Sequence, residues 1–258
     1  MRKLVFYKYQ GTGNDFVMID NREGLFSHDV AQVRRLCDRK FGIGADGLIL
    51  IENKTGYDFE MVYFNADGTQ SLCGNGSRCA VRFAEQLGIV KDSTSFLTID
   101  GKLEAAITPE TVRLHMPDVK SIDTVRDDWF VDTGSPHYVT FRPNAEEVDV
   151  YEEGKTIRYG EPFGQKGTNV NFVEIQGENR IFVRTYERGV ENETLSCGTG
   201  VTACAIALTK QQGQSPVSVK TLGGELTVSY ESDGQGGFRN VYLEGPAKLV
   251  FKGEIAML

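Results

Sequence analysis

The chain has 258 residues, of which 40% are hydrophobic and 25% charged, and its formal net charge is -8 at pH 7. This composition is ordinary for a globular protein and excludes disordered and fibrous classes. An acidic chain without a visible cluster of Lys and Arg is also a poor candidate for a nucleic-acid surface, because phosphate binding depends on clustered positive charge.

Targeting and redox signals point to a cytoplasmic protein. The opening MRKLVFYKY has too few apolar residues for a secretory signal, and no stretch reaches a membrane-spanning length. The five cysteines are therefore expected to be free thiols rather than a disulfide framework. Because the sequence has no CxxC motif and its three histidines are scattered, we predict no metal site.

The first predicted elements are a strand, a glycine-rich turn and a second strand over residues 4–20, with Asn14 and Asp15 in the turn. Ser27 is then predicted to cap a helix that ends near Lys40. The helical periodicity places four residues on the apolar face of this helix: Val30, Val33, Leu36 and Cys37. Within that stripe, the Cys37 thiol is expected to be buried as a small apolar group.

The next elements lead to the first of two cysteine motifs. A glycine-rich turn feeds a strand in FGIGADGLILIE, and FEMVYFNADG is predicted to be a strand ending in a loop that carries Asn65. In LCGNGSRCAVRFAEQLG, Cys73 precedes Gly-x-Gly and a run of helix formers that closes at Gly88. The segments FLTID, KLEAAI and VRLHM then predict an antiparallel meander.

The second half of the chain repeats this order. A strand, turn and strand are predicted in DWFVDTGSPHYVTF, followed by strands in GTNVNFVEI and RIFVRTYERGV. The second cysteine motif, SCGTGVTACAIALTKQQG, places Cys197 as Cys73 is placed and closes at Gly213. Duplication of one unit explains the repeat. We predict two domains, residues 1–116 and 117–248, with the first completed by a C-terminal strand at 249–258.

The two helices that follow the cysteines are predicted to be apolar almost all round, so each has to be wrapped by other structure. This pattern indicates an α+β fold of two pseudo-symmetric domains, each a mostly antiparallel curved sheet around its own central helix. The helix N-termini, and with them the active site, are expected in the interdomain cleft. Cys79 and Cys204 lie within these helices and are expected to be buried rather than reactive.

The paired motifs also indicate a type of chemistry. A helix N-terminus lowers the pKa of a cysteine, so Cys73 and Cys197 could act as a thiolate and a thiol on opposite faces of one carbon. Removal of a proton from one face and its return to the other inverts the centre, without a Schiff base. The charge that develops on an adjacent carboxylate would be stabilised by the two helix N-termini.

Several polar residues could hold a substrate of this kind. Glu187 and Arg188, just before the second motif, could bind an ammonium and a carboxylate respectively. Amides can donate to and accept from a zwitterion, and His137 could assist proton transfer or orient the ammonium group. The candidate amides are Asn14, Asn65 and Asn169. Taken singly, each residue also fits a structural role in a turn, a surface ion pair or the core.

Together these motifs resemble the diaminopimelate epimerase family. The resemblance is carried by GTGNDFVMID, FGIGADG, FNADGTQSLCGNGSRCA, GSPHYV, YERGVENETLSCGTGVTACA and EGPAKLVFKGEI, which cover nearly the whole chain. It implies an isomerase without cofactor or metal that interconverts LL- and meso-2,6-diaminopimelate for lysine and peptidoglycan synthesis. It also implies a homodimer and a fold of two similar domains.

The resemblance assigns a role to each matching position. It makes Cys73 and Cys197 the catalytic bases, with Glu187 and His137 as supporting groups near the reacting amino group. Other positions hold substrate, either through side chains or through the backbone N–H groups that cradle the reacting carboxylate: Asn14, Asn65, Asn169, Glu187 and Arg188, and Gly74, Asn75, Gly198 and Thr199. Two positions depart from the family pattern, with Gly47 in place of Gln and Ser135 in place of Asn.

Two other functions compete with this one. A two-cysteine racemase of the proline racemase kind would share the fold and mechanism. Its cyclic imino-acid substrate would, however, need a more apolar pocket than these polar residues provide. A thiol redox or binding protein could instead join Cys73 and Cys197 in a regulatory disulfide.

Overall fold

The computed structural model describes residues 3–256, which form two compact units. One unit consists of the described residues of Met1–Leu114 and Gly245–Leu258, and the other is His115–Glu244. Within the domains predicted from the sequence, residues 1–2 and 257–258 lie outside the described residues. None of the helices within residues 3–256 has both the length and the apolar character that a bilayer crossing demands.

Runs of strands separated by single helices make up the described part of the chain. The strands of the first half are β1 Lys3–Gly11, β2 Asn14–Asp20, β3 Gly47–Glu52, β4 Glu60–Asn65, β5 Ser93–Thr98, β6 Gly101–Ile107 and β7 Thr111–His115. Those of the second half are β8 Asp123–Val125, β9 Asp128–Asp132, β10 Pro136–Phe141, β11 Asn169–Gly177, β12 Arg180–Glu187, β13 Asn192–Thr194, β14 Val217–Thr221, β15 Gly224–Ser232, β16 Phe238–Pro246 and β17 Lys248–Ala256. The helices are α1 Val30–Cys37, α2 Gly74–Gln86, α3 Val150–Tyr159 and α4 Gly198–Ala207.

The two units repeat one strand topology. In the first, β2 pairs parallel with β3 and β4 parallel with β5, whereas the pairs β1–β2, β3–β4, β5–β6, β6–β7 and β1–β17 are antiparallel. In the second, β10–β11 and β12–β14 are parallel, whereas β8–β9, β9–β10, β11–β12, β12–β13, β14–β15 and β15–β16 are antiparallel. The prediction of two similar, mostly antiparallel α+β units is confirmed.

Each unit is built around its own central helix. The expectation of a helix that is apolar almost all round is met by α4 but is wrong for α2, where Arg82 is only partly buried and Gln86 is exposed. Helix α2 packs on β1, β2, β3, β4 and β6, and helix α4 packs on β9 to β12, β14 and β15. Every residue of α4 from Gly200 to Ala207 is buried, which requires sheet on all sides. The thiols of Cys79 and Cys204 are completely buried, as predicted.

The ends of the two central helices differ. Helix α2 ends with Leu87 as C-cap, and Gly88 follows in the left-handed region with φ of 72°. Helix α4 instead continues as a 3-10 helix over Leu208–Gln211, after which Gln212 adopts the left-handed conformation. The expectation that Gly213 closes the second helix as Gly88 closes the first is therefore wrong, because an extra tight turn precedes it.

The start of α1 also differs from the prediction. Ser27 is not its cap, because His28 has a φ of 58° that interrupts the helix, and the Asp29 side chain accepts the N–H of Ala31 at 2.9 Å. Val33, Leu36 and Cys37 are buried as expected, but Val30 is 40% exposed. The helix ends at Cys37, before Lys40, because Asp38 turns the chain by accepting N–H groups of the following residues.

Sequence reasoning missed α3, which lies between β10 and β11 as α1 lies between β2 and β3. Asp149 caps this helix by accepting the N–H of Glu152 at 3.1 Å. Gly154 in its centre is unfavourable for a helix, and a Cβ there would lie 2.4 Å from the Cβ of Tyr186. The close packing of α3 on β12 thus requires a glycine, and this glycine is the reason that the sequence pattern did not predict a helix.

Candidate active site

Cys73 occupies the N-cap of α2. Its backbone is extended, with φ of -130°, and its Sγ accepts the N–H of Gly76 at 3.4 Å. A sulfur atom thus takes the place that a Ser, Thr or Asp oxygen usually fills at a helix start. The Sγ also lies 3.4 Å from Oδ1 of Asn14, to which the thiol donates. Because the side chain is half-buried, this thiol is accessible to a small molecule.

Asn14 is held in place by a cluster of ion pairs. It begins β2, directly after the left-handed turn at Thr12 and Gly13, and its Nδ2 donates to Oδ2 of Asp46 at 2.5 Å. Arg39 bonds Asp46 at 2.8 Å and binds both oxygens of Asp15 at 2.7 and 3.0 Å. This geometry leaves Oδ1 of Asn14 facing the Cys73 thiol.

Burial would raise the pKa of Asp15, yet its hydrogen bonds to Arg39 and Lys8 hold that pKa well below the usual range. The carboxylate is therefore charged at any pH near neutrality. Its ion pair with Lys8, at 2.7 Å, is largely buried.

Asn65 ends β4, where its Nδ2 donates to Oγ1 of Thr69 at 3.0 Å and to Oγ of Ser71 at 3.2 Å. These bonds fix the loop that enters the first cysteine motif. Through these side-chain hydrogen bonds, Asn65 holds the loop that leads to Cys73.

Cys197 is the N-cap of α4, and its thiol begins a chain of hydrogen bonds. Its Sγ lies 3.5 Å from Oγ1 of Thr199, which in turn lies 2.9 Å from Nε2 of His137. The His137 Nδ1 accepts from Nδ2 of Asn171 at 3.2 Å. Because Nδ1 accepts, Nε2 carries the proton and donates to Thr199, which leaves the Thr199 hydroxyl able to donate to a thiolate at Cys197.

His137 is a neutral imidazole. Its ring is completely buried, and burial, together with the charge of Arg188, lowers the pKa of His137 to about 3. Its fixed tautomer therefore orients the Thr199 hydroxyl at neutral pH.

The buried His137 should make stability depend on pH. Its pKa falls from 6.5 to about 3 on folding, so the unfolded chain binds the proton first as the pH drops. We expect the free energy of unfolding to fall by about 2 kcal/mol from pH 6.5 to pH 5 on account of this residue, measured by urea denaturation. His137→Gln should flatten this slope, whereas His28→Gln, at an exposed position, should retain it. An unchanged slope in His137→Gln contradicts the assignment.

Glu187, Arg188 and Asn169 meet at the end of β12. The Asn169 Oδ1 accepts the backbone N–H of Arg188 at 2.9 Å, and the Arg188 Nη1 donates to the carbonyl of Lys166 at 3.2 Å. The Glu187 Oε2 accepts from Oγ1 of Thr194 at 2.9 Å. The backbone of this turn is thus tied to β11, which orients the two charged side chains.

Two groups of the predicted residues are in contact within their own units. Cys73 meets Asn14 in the first, and Cys197, Thr199 and His137 form a chain in the second. The predicted N–H donors lie in the first turns of the two central helices: Gly74, Asn75, Gly198 and Thr199. In both units a cysteine therefore stands beside an anion-binding helix start.

Comparisons with known proteins place the chain in a family. A model of the family described as diaminopimelate epimerase matches residues 6–122 and 129–250. The diaminopimelate epimerase of Flavobacterium psychrophilum is 49% identical over 96% of this chain and 99% of that protein, and the one of Chlorobaculum tepidum is 45% identical over the same shares.

The chain belongs to the diaminopimelate epimerase family.

Solved structures with low sequence identity share the fold of this family member. A phenazine biosynthesis protein of the PhzF family from Bacillus anthracis aligns with a TM-score of 0.76 and 15% identity, covering 100% of both chains. A probable proline racemase from Agrobacterium radiobacter K84 aligns with a TM-score of 0.70 and 15% identity, over 98% of this chain and 93% of that one. At such identities the likeness concerns the fold alone.

The two departures from the family pattern have different structural settings. A Cβ at Gly47 would lie 2.4 Å from Cε2 of Tyr63, so the tyrosine ring fills the space that a larger side chain would need. Ser135 does form a side-chain contact, because its Oγ accepts from Nδ2 of Asn169 at 2.9 Å. The departure at position 47 is therefore accommodated by Tyr63, and Ser135 supports a substrate-holding candidate.

Sequence reasoning missed Asp46 and Asn171, which orient Asn14 and His137. Asn171 lies two residues after Asn169 on β11, so the alternation of a strand places both on one face and could have revealed it. No sequence pattern of this kind marked Asp46, because Asp46 directly precedes β3 whereas its partner Asn14 begins β2.

Proposed function

We propose that this protein epimerises LL-2,6-diaminopimelate to the meso isomer without a cofactor, using Cys73 and Cys197 as two bases. One observation carries the proposal. In each of two units of the same topology, a cysteine caps a buried central helix that opens with Gly-x-Gly. Membership of the family supports the choice of substrate.

The reaction moves protons only. The thiolate of one cysteine takes the α-proton, and the electron pair left on the carbon spreads into the adjacent carboxylate. The thiol of the other cysteine then delivers its proton to the opposite face, so each turnover exchanges the protonation states of the two sulfurs. The developing charge on the carboxylate would be stabilised by the first-turn N–H groups of α2 and α4.

The remaining residues would bind and orient the substrate. The His137–Thr199 chain would stabilise the thiolate form of Cys197, because each hydroxyl or imidazole donor in it points towards the sulfur. We assign Glu187 to the ammonium group beside the reacting carbon and Arg188 to a carboxylate, with Asn14, Asn65 and Asn169 as amide contacts. A substrate with two amino-acid ends suits this mixture of charges.

Hydrogen exchange tests the reaction directly. The reduced protein is incubated with LL-2,6-diaminopimelate in deuterated water without added cofactor, and the α-hydrogen is followed by NMR. We expect deuterium at the inverted centre together with formation of the meso isomer. L-Proline in a parallel sample should remain unexchanged. The proposal fails if diaminopimelate shows no exchange while both thiols titrate as reduced, or if proline exchanges instead.

Arg188 should contribute chiefly to substrate binding. We expect Arg188→Ala to raise KM for diaminopimelate by about 10- to 100-fold, the range for loss of a charged hydrogen bond, with a smaller change in kcat. Arg180→Ala, which removes an exposed arginine from the start of β12, serves as the control and should leave both constants unchanged. Steady-state kinetics check this. A normal KM in Arg188→Ala contradicts the assignment.

We further propose a homodimer that works in the cytoplasm and supplies lysine or peptidoglycan precursor synthesis. The family resemblance and the need for reduced thiols support this. Sedimentation velocity of the reduced protein should give twice the mass of the chain, and a monomer at micromolar concentration would contradict it.

A further inference from the structure

The loop 188–191 joins β12 to β13 and begins with Arg188. The two strands pair antiparallel as far as Glu187 and Asn192. Within the loop, Gly189 and Glu191 have φ of 97° and 58°, and the Glu191 N–H donates to the carbonyl of Glu187 at 2.8 Å. A left-handed backbone is uncommon for a residue other than glycine, so further contacts of Glu191 must stabilise this conformation.

The carboxylate of Glu191 supplies those contacts. Its Oε1 accepts the backbone N–H of Gly189 at 3.0 Å and Nη2 of Arg158 at 3.0 Å, and its Oε2 accepts the hydroxyl of Tyr186 at 3.3 Å. Burial would raise the pKa of this carboxyl group, but the hydrogen bonds from Gly189 and Tyr159 and the charge of Arg158 hold that pKa below its usual value. The group is therefore charged at neutral pH and links the loop to α3 and to β12.

Arg158 extends this link to the segment that leads into β11. The residue is only 8% exposed. A Cβ at Gly167 would lie 1.7 Å from Nη1 and 2.2 Å from Cζ of Arg158, so the guanidinium rests directly on the Gly167 backbone. Gly167 itself has φ of 60°, and its N–H donates to the carbonyl of Phe163 at 3.1 Å. The ion pair of Arg158 and Glu191, named the clamp, thus joins the loop 188–191 to this segment.

The segment on the far side of the clamp binds Arg188. The carbonyl of Lys166, directly before Gly167, accepts Nη1 of Arg188 at 3.2 Å. The side chain of Asn169, two residues after Gly167, accepts the backbone N–H of Arg188 at 2.9 Å. The backbone and the guanidinium of Arg188 are therefore both bonded to a segment that the clamp holds against the loop.

This arrangement orders an exposed arginine. A long side chain that is free to rotate loses that freedom when it binds a ligand, and the loss weakens binding. The side chain of Arg188 is exposed but already held in one place. Such ordering lowers KM and leaves kcat little changed when the arginine binds the substrate equally well in the ground state and the transition state.

We propose that Arg158 and Glu191 are positioning residues for Arg188, which they hold in the orientation that binds a substrate carboxylate. The choice of diaminopimelate as that substrate rests on the proposed function. The ordering of the loop 188–191 is a property of the chain itself and can be measured without substrate.

Steady-state kinetics of Glu191→Ala test the effect on binding. We expect KM for diaminopimelate to rise by about 3- to 10-fold, the range for ordering one long side chain, while kcat changes by less than about twofold. Glu191→Gln keeps the size of the side chain and one acceptor oxygen, so its KM should lie between those of the unaltered protein and Glu191→Ala.

A double variant tests whether Glu191 acts through Arg188. With Arg188→Ala already present, the clamp has no arginine to position, so the added Glu191→Ala should change KM by less than about twofold. A residue that merely stabilises the fold would give independent, additive effects in the two variants.

The same hairpin contains a second ion pair that serves as a matched control. Nε of Arg184 donates to Oε1 of Glu193 at 2.6 Å, and this pair is buried to a similar extent. Its arginine binds carbonyls of the loop before α3, those of Ala145, Glu146 and Val148. Glu193→Ala should therefore lower stability but leave KM unchanged.

Amide hydrogen exchange, followed by NMR, measures the ordering without substrate. The N–H groups of Arg188 and Gly189 are bonded to Asn169 and Glu191. We expect Glu191→Ala to speed their exchange by about tenfold or more, because the loop opens more often, whereas amides of α4 should keep their rates. Glu193→Ala should leave the exchange of both loop amides unchanged.

The outcomes separate this proposal from the proposed function. Unaltered protein that does not epimerise diaminopimelate overturns the proposed function, and amide exchange then decides alone whether the clamp orders the loop. Unchanged exchange in Glu191→Ala overturns the positioning role in either case. In an active protein, additive effects of Glu191→Ala and Arg188→Ala on KM also overturn it, as does a lower kcat at normal KM. If Glu191→Ala fails to fold, as judged by circular dichroism, Glu191→Gln takes its place in each comparison.

Discussion

Cys73→Ser and Cys197→Ser are each expected to lower kcat for epimerisation by at least about 10³-fold. The reason is that one sulfur removes the α-proton from one face of the carbon and the other sulfur delivers a proton to the opposite face, so neither can be spared. A serine hydroxyl is far less acidic than a cysteine thiol at a helix N-terminus, so it neither holds a negative charge nor delivers a proton at neutral pH. The loss should be similar for the two variants, since each removes one half of the same reaction.

Coupled or polarimetric assays of meso-diaminopimelate formation measure this loss. Cys204→Ala and Cys37→Ala provide matched controls, because they remove thiols that are buried away from the two helix N-termini. These variants should retain kcat within a few-fold and lose only stability. Activity within tenfold of normal in either serine variant would show that one base suffices.

Gly200→Ala should have the second-largest effect, because it displaces the chain of hydrogen bonds at Cys197. A Cβ at Gly200 would lie 2.5 Å from Oδ1 of Asn171 and 3.3 Å from the His137 ring. The Asn171 side chain cannot move aside without breaking hydrogen bonds, since it donates to the carbonyl of Tyr138 at 2.9 Å and accepts from Thr185 at 3.0 Å. We expect a loss of about 1–3 kcal/mol in stability and about 10²-fold in kcat.

The matching glycine of the other central helix provides the control for stability. A Cβ at Gly76 would lie 3.1 Å from Cδ1 of Ile49, and 3.4 Å from both the Phe16 ring and the Cys73 Cβ; the tightest contact is the end of a flexible side chain that can shift, and the other two are ordinary van der Waals contacts. Alanine also gains helix propensity over glycine. In urea denaturation, Gly76→Ala should therefore be near neutral. Equal losses in Gly76→Ala and Gly200→Ala would contradict the assigned clash.

Local patterns account for the parts of the fold that were predicted correctly. Alternating or continuous apolar runs marked the long strands, as in the buried GLILI of β3, and glycines marked the turns between them. The two cysteine motifs were recognisable because they repeat in order and context. The N-cap of α1 was less predictable, since Ser27 and Asp29 are both good capping residues. The left-handed backbone of His28 excludes Ser27 and leaves Asp29 as the cap.

Contacts between distant segments account for what was missed. Helix α3 has a central Gly154 that is unfavourable for a helix in isolation and is required only because Tyr186 packs against it. Asp46 orients Asn14, and Asn171 orients His137, across strands that adjoin only after folding. The roles of the site residues stay predictions until the kinetic variants are measured.

The sequence by itself determined the duplicated α+β architecture, the two cysteines at helix starts and the family, because these depend on periodicity, glycine spacing and motifs within short segments. Only the tertiary structure decided that Asp46 orients Asn14 and that His137 is a neutral hydrogen-bond donor near Cys197. The physical reason is that burial and hydrogen-bond partners, which set the charge state of a side chain, come from residues that are far away in the chain.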